Sequence, residues 1–187
     1  KEIRNNKFMT EEYLDILNEK GKPTGETRSY VDAHKKGLIH RTVHVWVLNS
    51  DKKLLLQKRS SDRLAYPDYW DISAAGHISA GQTSLEAAQR ETHEELGILL
   101  SGSLFRYLFT VEEHIVINHG TYVNNEFQDV YLVLLDTVSL DIKLNDGEIS
   151  EIKWVSPEEF KLLMNTKDSK LVPHEEEYNR LIEYLNL

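Results

Sequence analysis

The 187-residue chain contains no cysteine. This absence excludes disulfides, thiolate nucleophiles and sulfur-ligated zinc, and leaves His, Asp and Glu as the side chains that can hold a metal ion. Long apolar runs are also missing, and residues 1–10 lack the hydrophobic centre of a secretory signal. These absences favour a cytoplasmic protein with no membrane partner.

Basic residues are outnumbered, which argues against a broad nucleic-acid-binding surface. The chain has 22 Lys and Arg against 31 Asp and Glu, a formal net charge of -9. Sequence-independent affinity for nucleic acid comes mainly from cationic side chains that neutralise phosphates, so we expect no nucleic-acid partner. A phosphorylated substrate of such an acidic protein would need metal cations as intermediaries.

With 40% hydrophobic residues, the chain is able to bury the core of one domain. No internal repeat, linker or low-complexity tract divides it. We expect a single domain over residues 9–187, and we treat residues 1–8 as a tail or remnant without functional weight.

The hydrophobic pattern predicts strands alternating with a few helices. Strand composition covers residues 12–17, 42–48, 54–58, 104–117, 126–135 and 149–155, with a short strand within 70–78. Turn residues at 18–25 predict an opening hairpin, and strands 42–48 and 54–58 are expected to pair. Helices are predicted over residues 84–96, 157–164 and 173–187. This order favours a mixed sheet with helices packed on it, in an α+β or α/β arrangement.

The helix over residues 84–96 has clear boundary signals. Thr83-Ser-Leu-Glu86 has the form of a capping box, and Gly97 closes the helix. One face is expected to pack on the sheet and carries Leu85, Ala88, Thr92 and Leu96.

Three glutamates share the neighbouring face of this helix, which we expect to point away from the core. Glu91, Glu94 and Glu95 stand at i, i+3 and i+4, where like charges repel. A solvated charged face is the plain alternative for such a cluster. A bound cation would relieve the repulsion, and carboxylate oxygens are ligands that Mg²⁺ prefers. The cluster therefore points to a magnesium site and to phosphate chemistry.

The surrounding segment is Gly76-His-Ile-Ser-Ala-Gly-Gln-Thr-Ser-Leu-Glu-Ala-Ala-Gln-Arg-Glu-Thr-His-Glu-Glu-Leu-Gly-Ile98. It resembles the Nudix box, G-x5-E-x7-R-E-U-x-E-E-x-G-U. The matching positions are Gly76, Arg90, Glu91, Glu94, Glu95, Gly97 and Ile98. Two positions depart from the pattern: Gln82 stands in place of glutamate, and Thr92 in place of an aliphatic residue. The resemblance implies an α/β/α sandwich with a mixed central β-sheet.

The same resemblance implies a hydrolytic mechanism. Glu91, Glu94 and Glu95 would hold Mg²⁺, with Mn²⁺ as the alternative, against the diphosphate of a small-molecule substrate. Arg90 would orient these carboxylates or contact the substrate, or else make only a structural salt bridge. Glu148 occupies the place of a further ligand or general base, for which Glu151 is the competitor.

Within the Nudix superfamily, the chain resembles the branch of type I isopentenyl diphosphate isomerase. The resemblance rests on Ala33-His34, Leu38-Ile-His40, Leu54-Leu-Leu-Gln-Lys-Arg59, Tyr66-Pro-Asp-Tyr-Trp70, Ala75-Gly-His77 and Asn125-Glu126. It implies a second metal site of His34, His40, His77 and Glu126, suited to Mn²⁺ or Zn²⁺. Alternatively, His40 and His44 are ordinary strand residues and His34 lies on the surface.

Two positions of this branch are lost. Ala75 replaces the catalytic cysteine of the isomerase, and Asn124 replaces one metal-binding glutamate. Moving a proton across an unactivated alkene needs both an acid and a base, so isomerisation is disfavoured.

Three functions follow from the residues. The leading one is metal-dependent hydrolysis of a diphosphate linkage in a nucleoside diphosphate derivative or a related organic diphosphate. An isomerase and a non-catalytic diphosphate-binding module are the alternatives. Tyr66, Tyr69 and Trp70 are candidates to stack a base or an isoprenoid, or to join the core, which we favour for Trp70. Loops near Tyr66 and 119–125 are expected to select the substrate. A homodimer is a family-based expectation.

Overall fold

The computed structural model describes residues 12–136, 142–144 and 147–186. Its strands are β1 Tyr13–Leu17, β2 Pro23–Ser29, β3 His40–Asn49, β4 Leu54–Arg59, β5 Trp70–Asp71, β6 Ala74–His77, β7 Phe105–Ile117, β8 Tyr122–Leu135 and β9 Ile149–Val155. Its α-helices are α1 Tyr30–Lys36, α2 Ser84–Leu96, α3 Pro157–Asn165 and α4 Glu175–Leu185. The proposed tail at residues 1–8 and the turn residues 145–146 lie outside the described residues.

The main sheet is mixed and is organised around β3. The strand order is β5-β4-β3-β8-β7, with β6 also paired to β3 and β9 to β4. β3 and β8 run parallel, from His40 opposite Glu126 to Asn49 opposite Leu135, whereas β6 pairs with β3 antiparallel. Val43, Val45 and Val47 of β3 are fully buried, as expected of a central strand.

Helices cover both faces of this sheet. On one face, buried Ala87, Ala88 and Leu96 of α2 join the valines of β3 in one hydrophobic cluster. On the other face, Phe160 of α3 and Leu181 of α4 join a second cluster. The α/β/α sandwich with a mixed central β-sheet, in the α+β class, is therefore confirmed.

The opening hairpin of β1 and β2 forms as predicted, and β9 spans the predicted residues 149–155. The expected pairing of strands 42–48 and 54–58 is limited to Leu48 opposite Leu54, because β6 and β8 flank the rest of β3 while β9 pairs along β4. The strand expected within 70–78 is divided into β5 and β6.

Two features differ from the sequence interpretation. Helix α1 was not predicted, since its seven residues carry no amphipathic repeat. Ser29 caps its N-terminus, and Gly37 ends it with a φ of 62°. Leu85 does not pack on the sheet but is 36% exposed, and Ala87 is buried in its place.

None of the helices within the described ranges is long and apolar enough to cross a membrane.

Candidate functional site

Helix α2 is fixed at both ends, which sets the direction of its glutamates. The Thr83 side chain accepts from Glu86 N while the Glu86 carboxylate accepts from Thr83 N, completing the predicted capping box. Gly97 ends the helix with a φ of 69°, a conformation that disfavours residues with a Cβ.

Two of the three box glutamates are buried, contrary to the expectation that all three face away from the core. Glu91 and Glu95 are 8% and 7% exposed, whereas the Glu94 side chain is 57% exposed. A Cβ at position 76 would overlap the Glu91 carboxyl group, so Gly76 permits its close approach to β6. Glu95 Oε2 accepts from Ala75 N at 3.0 Å at the same strand.

Arg90 ties the acidic face to the loop before α2. Its Nη1 lies 2.6 Å from Glu91 Oε1 and 3.1 Å from Glu94 Oε2. Its Nη2 donates to the carbonyl of His77 at 2.8 Å and to Gln82 Oε1 at 3.3 Å. Gln82 is therefore linked to the glutamates through Arg90, which contacts both Glu91 and Glu94.

Positive charge compensates the buried box carboxylates only in part. Burial raises the pKa of Glu91 to about 7, although Arg90 opposes the shift. Burial also raises the pKa of Glu95 well above its ordinary value, and the neighbouring Glu91 adds to this. Such carboxyl groups gain free energy when a cation arrives, because the cation replaces the protons that they hold.

The box acids line an open cavity of about 1380 Å³. Glu12, Arg63 and Glu148 line the same cavity, and the Arg63 guanidinium lies 2.9 Å from the Glu148 carboxylate. Glu151 is not among the lining residues and instead lies 3.6 Å from Lys58 Nζ. Geometry thus favours Glu148 over its competitor as a group facing the substrate.

A second cluster lies beside the first, at the end of β3. It consists of His34, His40, His77 and Glu126, and we call it the histidine–glutamate cluster. The three Nε2 atoms lie 3.9, 3.4 and 3.8 Å from Glu126 Oε1, in that order of residues. One candidate ligand atom from each of the four residues lies within 4.8 Å of the others. These four residues come from α1, β3, β6 and β8.

Backbone carbonyls orient two of these imidazoles. His34 Nδ1 donates to Tyr30 O at 2.8 Å, and His40 Nδ1 donates to Leu38 O at 2.9 Å. In the neutral form of each ring, Nε2 then carries a lone pair and faces Glu126 Oε1, the arrangement in which a metal-binding histidine is held. His34 is 1% exposed, so the alternative that it lies on the surface is wrong.

The electrostatics of this cluster match a cation site. Burial lowers the pKa of His34, and it lowers the pKa of His77 to about 3. Burial opposes ionisation of Glu126, but the close approach of His40 and the other imidazoles keeps its pKa well below the ordinary value.

Among the described residues, three buried side-chain atoms lack a hydrogen-bond partner: His40 Nε2, Asn124 Oδ1 and Arg90 Nε. Asn124 stands two positions before Glu126 on β8 and lines the same cavity. Imidazole nitrogens, a carboxylate and an amide oxygen are all potential metal ligands.

Comparison with protein families matches residues 38–174 to the NUDIX domain. The chain belongs to the NUDIX family. Its 42% identity to Nudix hydrolase 3 of Arabidopsis thaliana extends over 95% of this chain but only 24% of that protein, so the chain spans about a quarter of that relative. Isopentenyl-diphosphate Delta-isomerase of Pectobacterium atrosepticum is 29% identical over 77% of this chain and 76% of its own length.

Among solved structures, DR0079 of Deinococcus radiodurans superposes with a TM-score of 0.71 at 25% identity. The match covers 90% of this chain and 98% of DR0079. Hydrolase and isomerase names both occur among the relatives, as the resemblance of the sequence predicted. Together these similarities support a Nudix pyrophosphohydrolase.

The sequence did not predict one cluster of charged side chains in this Nudix domain. Its members include Asp71, Glu113, His174 and Glu177, and the first three line the cavity beside His44. No local motif links residues so far apart in the chain. The one available signal was Asp71, a charged residue within an apolar strand, which rarely occurs unless the charge is paired.

The three aromatic candidates are placed differently. Tyr66 lines the cavity and its ring centroid lies 5.5 Å from that of Tyr69. Trp70 is partly buried against the core cluster of α3 and α4, with Lys153 Nζ 3.8 Å from its ring centroid. Only Tyr66 of the three is in reach of a ligand in the cavity.

Proposed function

We propose that this Nudix domain is a metal-dependent hydrolase that cleaves the diphosphate linkage of a nucleoside diphosphate derivative or a related organic diphosphate. The observation that carries the proposal is the meeting of Glu91, Glu94 and Glu95 at one cavity, two of them buried without sufficient compensating charge.

The donor set fits a hard divalent cation. All three groups are carboxylates, and Gly76 leaves room beside Glu91 that any larger residue would fill. Mg²⁺ is the proposed cofactor and Mn²⁺ the alternative. Bound there, the cation would supply positive charge for the diphosphate oxygens and acidify a water molecule for attack at phosphorus.

The remaining residues have supporting roles in this proposal. Arg90 is a positioning residue, since it bridges Glu91 and Glu94 and anchors them to the His77 carbonyl. Glu148 at the cavity rim is the proposed general base that accepts a proton from the attacking water. Arg63, whose guanidinium lies 2.9 Å from the Glu148 carboxylate, is proposed to hold that group in place.

The histidine–glutamate cluster is proposed as a second metal site for Mn²⁺ or Zn²⁺. Its support is the convergence of three imidazoles on Glu126 Oε1, together with His40 Nε2, a buried atom without a hydrogen-bond partner among the described residues. An ion there would lie next to His77, which adjoins Gly76 of the box.

The two alternatives lack support of this kind. An isomerase needs a proton-transferring group where Ala75 stands, and alanine has none. A non-catalytic binding module has no need of three glutamates held at one cavity, with a glycine that leaves room for Glu91. Cytoplasmic location, a homodimer and the absence of nucleic-acid and membrane partners stay predictions. Light scattering on the purified protein tests the homodimer.

The decisive assay measures release of phosphate or nucleoside monophosphate from a panel of diphosphates with Mg²⁺ or Mn²⁺. Wild type is compared with Glu94→Gln and Glu95→Gln, which preserve side-chain volume but remove the charge. We expect each change to lower kcat/KM by at least about 100-fold. Glu158→Gln, at an exposed glutamate of α3, is the matched control and should retain wild-type activity.

Isopentenyl diphosphate belongs in the panel, with product analysis. Formation of dimethylallyl diphosphate would favour the isomerase despite Ala75. Tight binding of diphosphates without turnover would favour the binding module. Full activity in both glutamate variants would show that the cation lies elsewhere.

A further inference from the structure

The box of this Nudix domain has one carboxylate fewer than its pattern, because Gln82 stands in place of glutamate. Gln82 Oε1 accepts a hydrogen bond from Arg90 Nη2 at 3.3 Å. An amide oxygen can accept this bond, but it carries no negative charge. Position 82 therefore contacts the guanidinium without neutralising it.

A strand outside the box runs beside the loop that carries this glutamine. Leu14 of β1 forms an isolated antiparallel bridge with Ser79, in the loop between β6 and α2. The Ala80 N–H donates to the carbonyl of Tyr13 at 2.7 Å. These contacts hold the start of β1 against the loop that leads to Gln82.

Glu12 directly precedes β1, and its backbone and side chain both have partners. Its carbonyl accepts from Tyr30 N at 2.8 Å, and its Oε1 accepts from the Ser79 hydroxyl at 3.4 Å. The second hydrogen bond is long and therefore weak. The Glu12 side chain lines the same cavity as the three box glutamates. The hairpin thus brings a further carboxylate to the cavity that the box acids line.

Electrostatic interactions link this carboxylate to the acidic face of α2. Burial raises the pKa of Glu12, Arg90 opposes the shift, and the Glu94 carboxylate adds to it. The influence is mutual at Glu91, because burial raises its pKa to about 7 while Glu94 and Glu12 both add to that shift. Glu12 therefore lies close enough to the box to act on the guanidinium that Gln82 contacts.

A purely structural role leaves this position of Glu12 unexplained. Arg90 Nη1 already lies 2.6 Å from Glu91 Oε1 and 3.1 Å from Glu94 Oε2, so it offers little to a further carboxylate. Like charges brought together in a partly buried site cost free energy unless a cation joins them. The box fits such a cation independently of Glu12, since Gly76 leaves room beside Glu91 that a Cβ would fill.

We propose that Glu12 supplies, from the opening hairpin, the negative charge that the box lacks at Gln82, and that this charge strengthens binding of the divalent cation at the box glutamates. The hairpin is then part of the metal site. The inference rests on the box cation of the proposed function and adds to it a residue from outside the box.

Mn²⁺ affinity of the full chain, measured by isothermal titration calorimetry, tests this role without requiring turnover. Every protein carries Glu126→Gln, which disables the histidine–glutamate cluster so that the titration reports the box site. Glu12→Gln should weaken Mn²⁺ binding by about tenfold or more, as loss of a group around a metal site commonly does. Glu19→Gln, at an exposed glutamate of the same hairpin, is the matched control and should change the affinity less than about twofold.

Charge restoration at position 82 separates this role from a general one. In the Glu12→Gln protein, Gln82→Glu should return the Mn²⁺ affinity to within about threefold of the parent, because it replaces the lost charge beside Arg90. With Glu12 present, Gln82→Glu should strengthen binding by less than about threefold. This second comparison does not depend on the folding of a Glu12 variant, and an equal gain in both backgrounds would overturn the proposal.

Urea unfolding with a chelator checks the fold of the variants. The midpoint of Glu12→Gln should stay the same or rise, because the change removes repulsion by Glu91 and Glu94. A lowered midpoint together with weakened Mn²⁺ binding would assign Glu12 to the structure and overturn the proposal. Unchanged Mn²⁺ affinity in Glu12→Gln, or weakening that Gln82→Glu does not repair, would also overturn it.

The outcomes separate this inference from the proposed hydrolysis. If the chain binds Mn²⁺ with the expected dependence on Glu12 but cleaves no diphosphate, the hydrolase fails and the role of Glu12 stands. If diphosphates are cleaved and Glu12→Gln binds Mn²⁺ as the parent does, the role of Glu12 fails and the hydrolase stands.

Discussion

His40 and His44 lie on the same strand, about 13 Å apart at the usual rise per residue, and belong to clusters of opposite character. Around His40, three imidazoles share the single carboxylate of Glu126. Around His44, two imidazoles face three carboxylates. Burial lowers the pKa of His77 in the first cluster, whereas carboxylates overcome burial and raise the pKa of His174 in the second.

The ratio of carboxylates to imidazoles accounts for this contrast, since both clusters are buried. Neutral imidazoles around one carboxylate have lone pairs to offer a cation. Protonated imidazoles have none, and they serve as donors in an ionic network. The same residue type thus belongs to a proposed metal site at one end of β3 and to an ionic network further along.

The largest expected effect concerns metal affinity. In a Glu94→Gln, Glu95→Gln background, which removes the box site, Glu126→Gln should weaken Zn²⁺ binding by at least about 100-fold, since it removes a ligand. Glu177→Gln should leave Zn²⁺ affinity unchanged. Isothermal titration calorimetry measures both. Equal weakening of Zn²⁺ binding by Glu126→Gln and Glu177→Gln would contradict a metal site at the histidine–glutamate cluster.

The free energy of unfolding should be more sensitive to loss of Glu177 than to loss of Glu126. Glu177→Ala leaves His44 and the Trp46 indole without their acceptor, and breaking such a buried ion pair costs about 3–5 kcal/mol. In the metal-free protein, Glu126→Ala removes the acceptor of Thr42 and Gln128. The lowered pKa values of His34 and His77 disfavour charge on those rings, so the loss should cost only about 1–3 kcal/mol. Urea unfolding at pH 7 with a chelator gives both free energies. A larger loss for Glu126→Ala would contradict the assigned protonation states.

The pH dependence of stability carries the same contrast, because each unit of pKa shift corresponds to about 1.4 kcal/mol. His34 and His77 have lowered pKa values, so the unfolded chain binds more protons and stability falls as pH drops below about 6.5. His44 and His174 have raised pKa values, so their contribution is complete below about pH 6.5 and is lost as pH rises through their folded pKa.

Single variants can isolate these two slopes. His77→Gln should flatten the acid side of the unfolding free energy between about pH 6.5 and 3, relative to wild type. His174→Gln should flatten the alkaline side. Chemical unfolding at a series of pH values measures the free energy of unfolding of each variant. If His77→Gln flattened the alkaline side and His174→Gln the acid side, the contrast between the two clusters would be refuted.

Local signals explain why part of the site was predictable. The capping box at Thr83, Gly97 and the spacing of Glu91, Glu94 and Glu95 lie within one helix, where 3.6 residues per turn fixes their relative directions. The same periodicity does not reveal burial, so the inward position of Glu91 and Glu95 was missed. Their burial depends on Gly76 of β6, which only the packed structure brings beside the helix.

The sequence could not reveal the ionic network around His44 and His174, for a different reason. Its residues come from β3, β5, β7 and α4, and ion pairs between distant segments leave no periodic pattern in the sequence. His34 shows what a family resemblance cannot predict. The resemblance predicted that His34 belongs to the cluster, but it did not predict that His34 is buried within α1. Long-range pairing of the sheet decides both features.

Anomalous diffraction from a crystal grown with Mn²⁺ and a non-hydrolysable nucleoside diphosphate analogue tests the central claim most directly. We expect one manganese peak at Glu91, Glu94 and Glu95 in contact with the diphosphate, and a second at His34, His40, His77 and Glu126. A peak between His44, His174 and Glu177, or none at the box glutamates, would contradict the account.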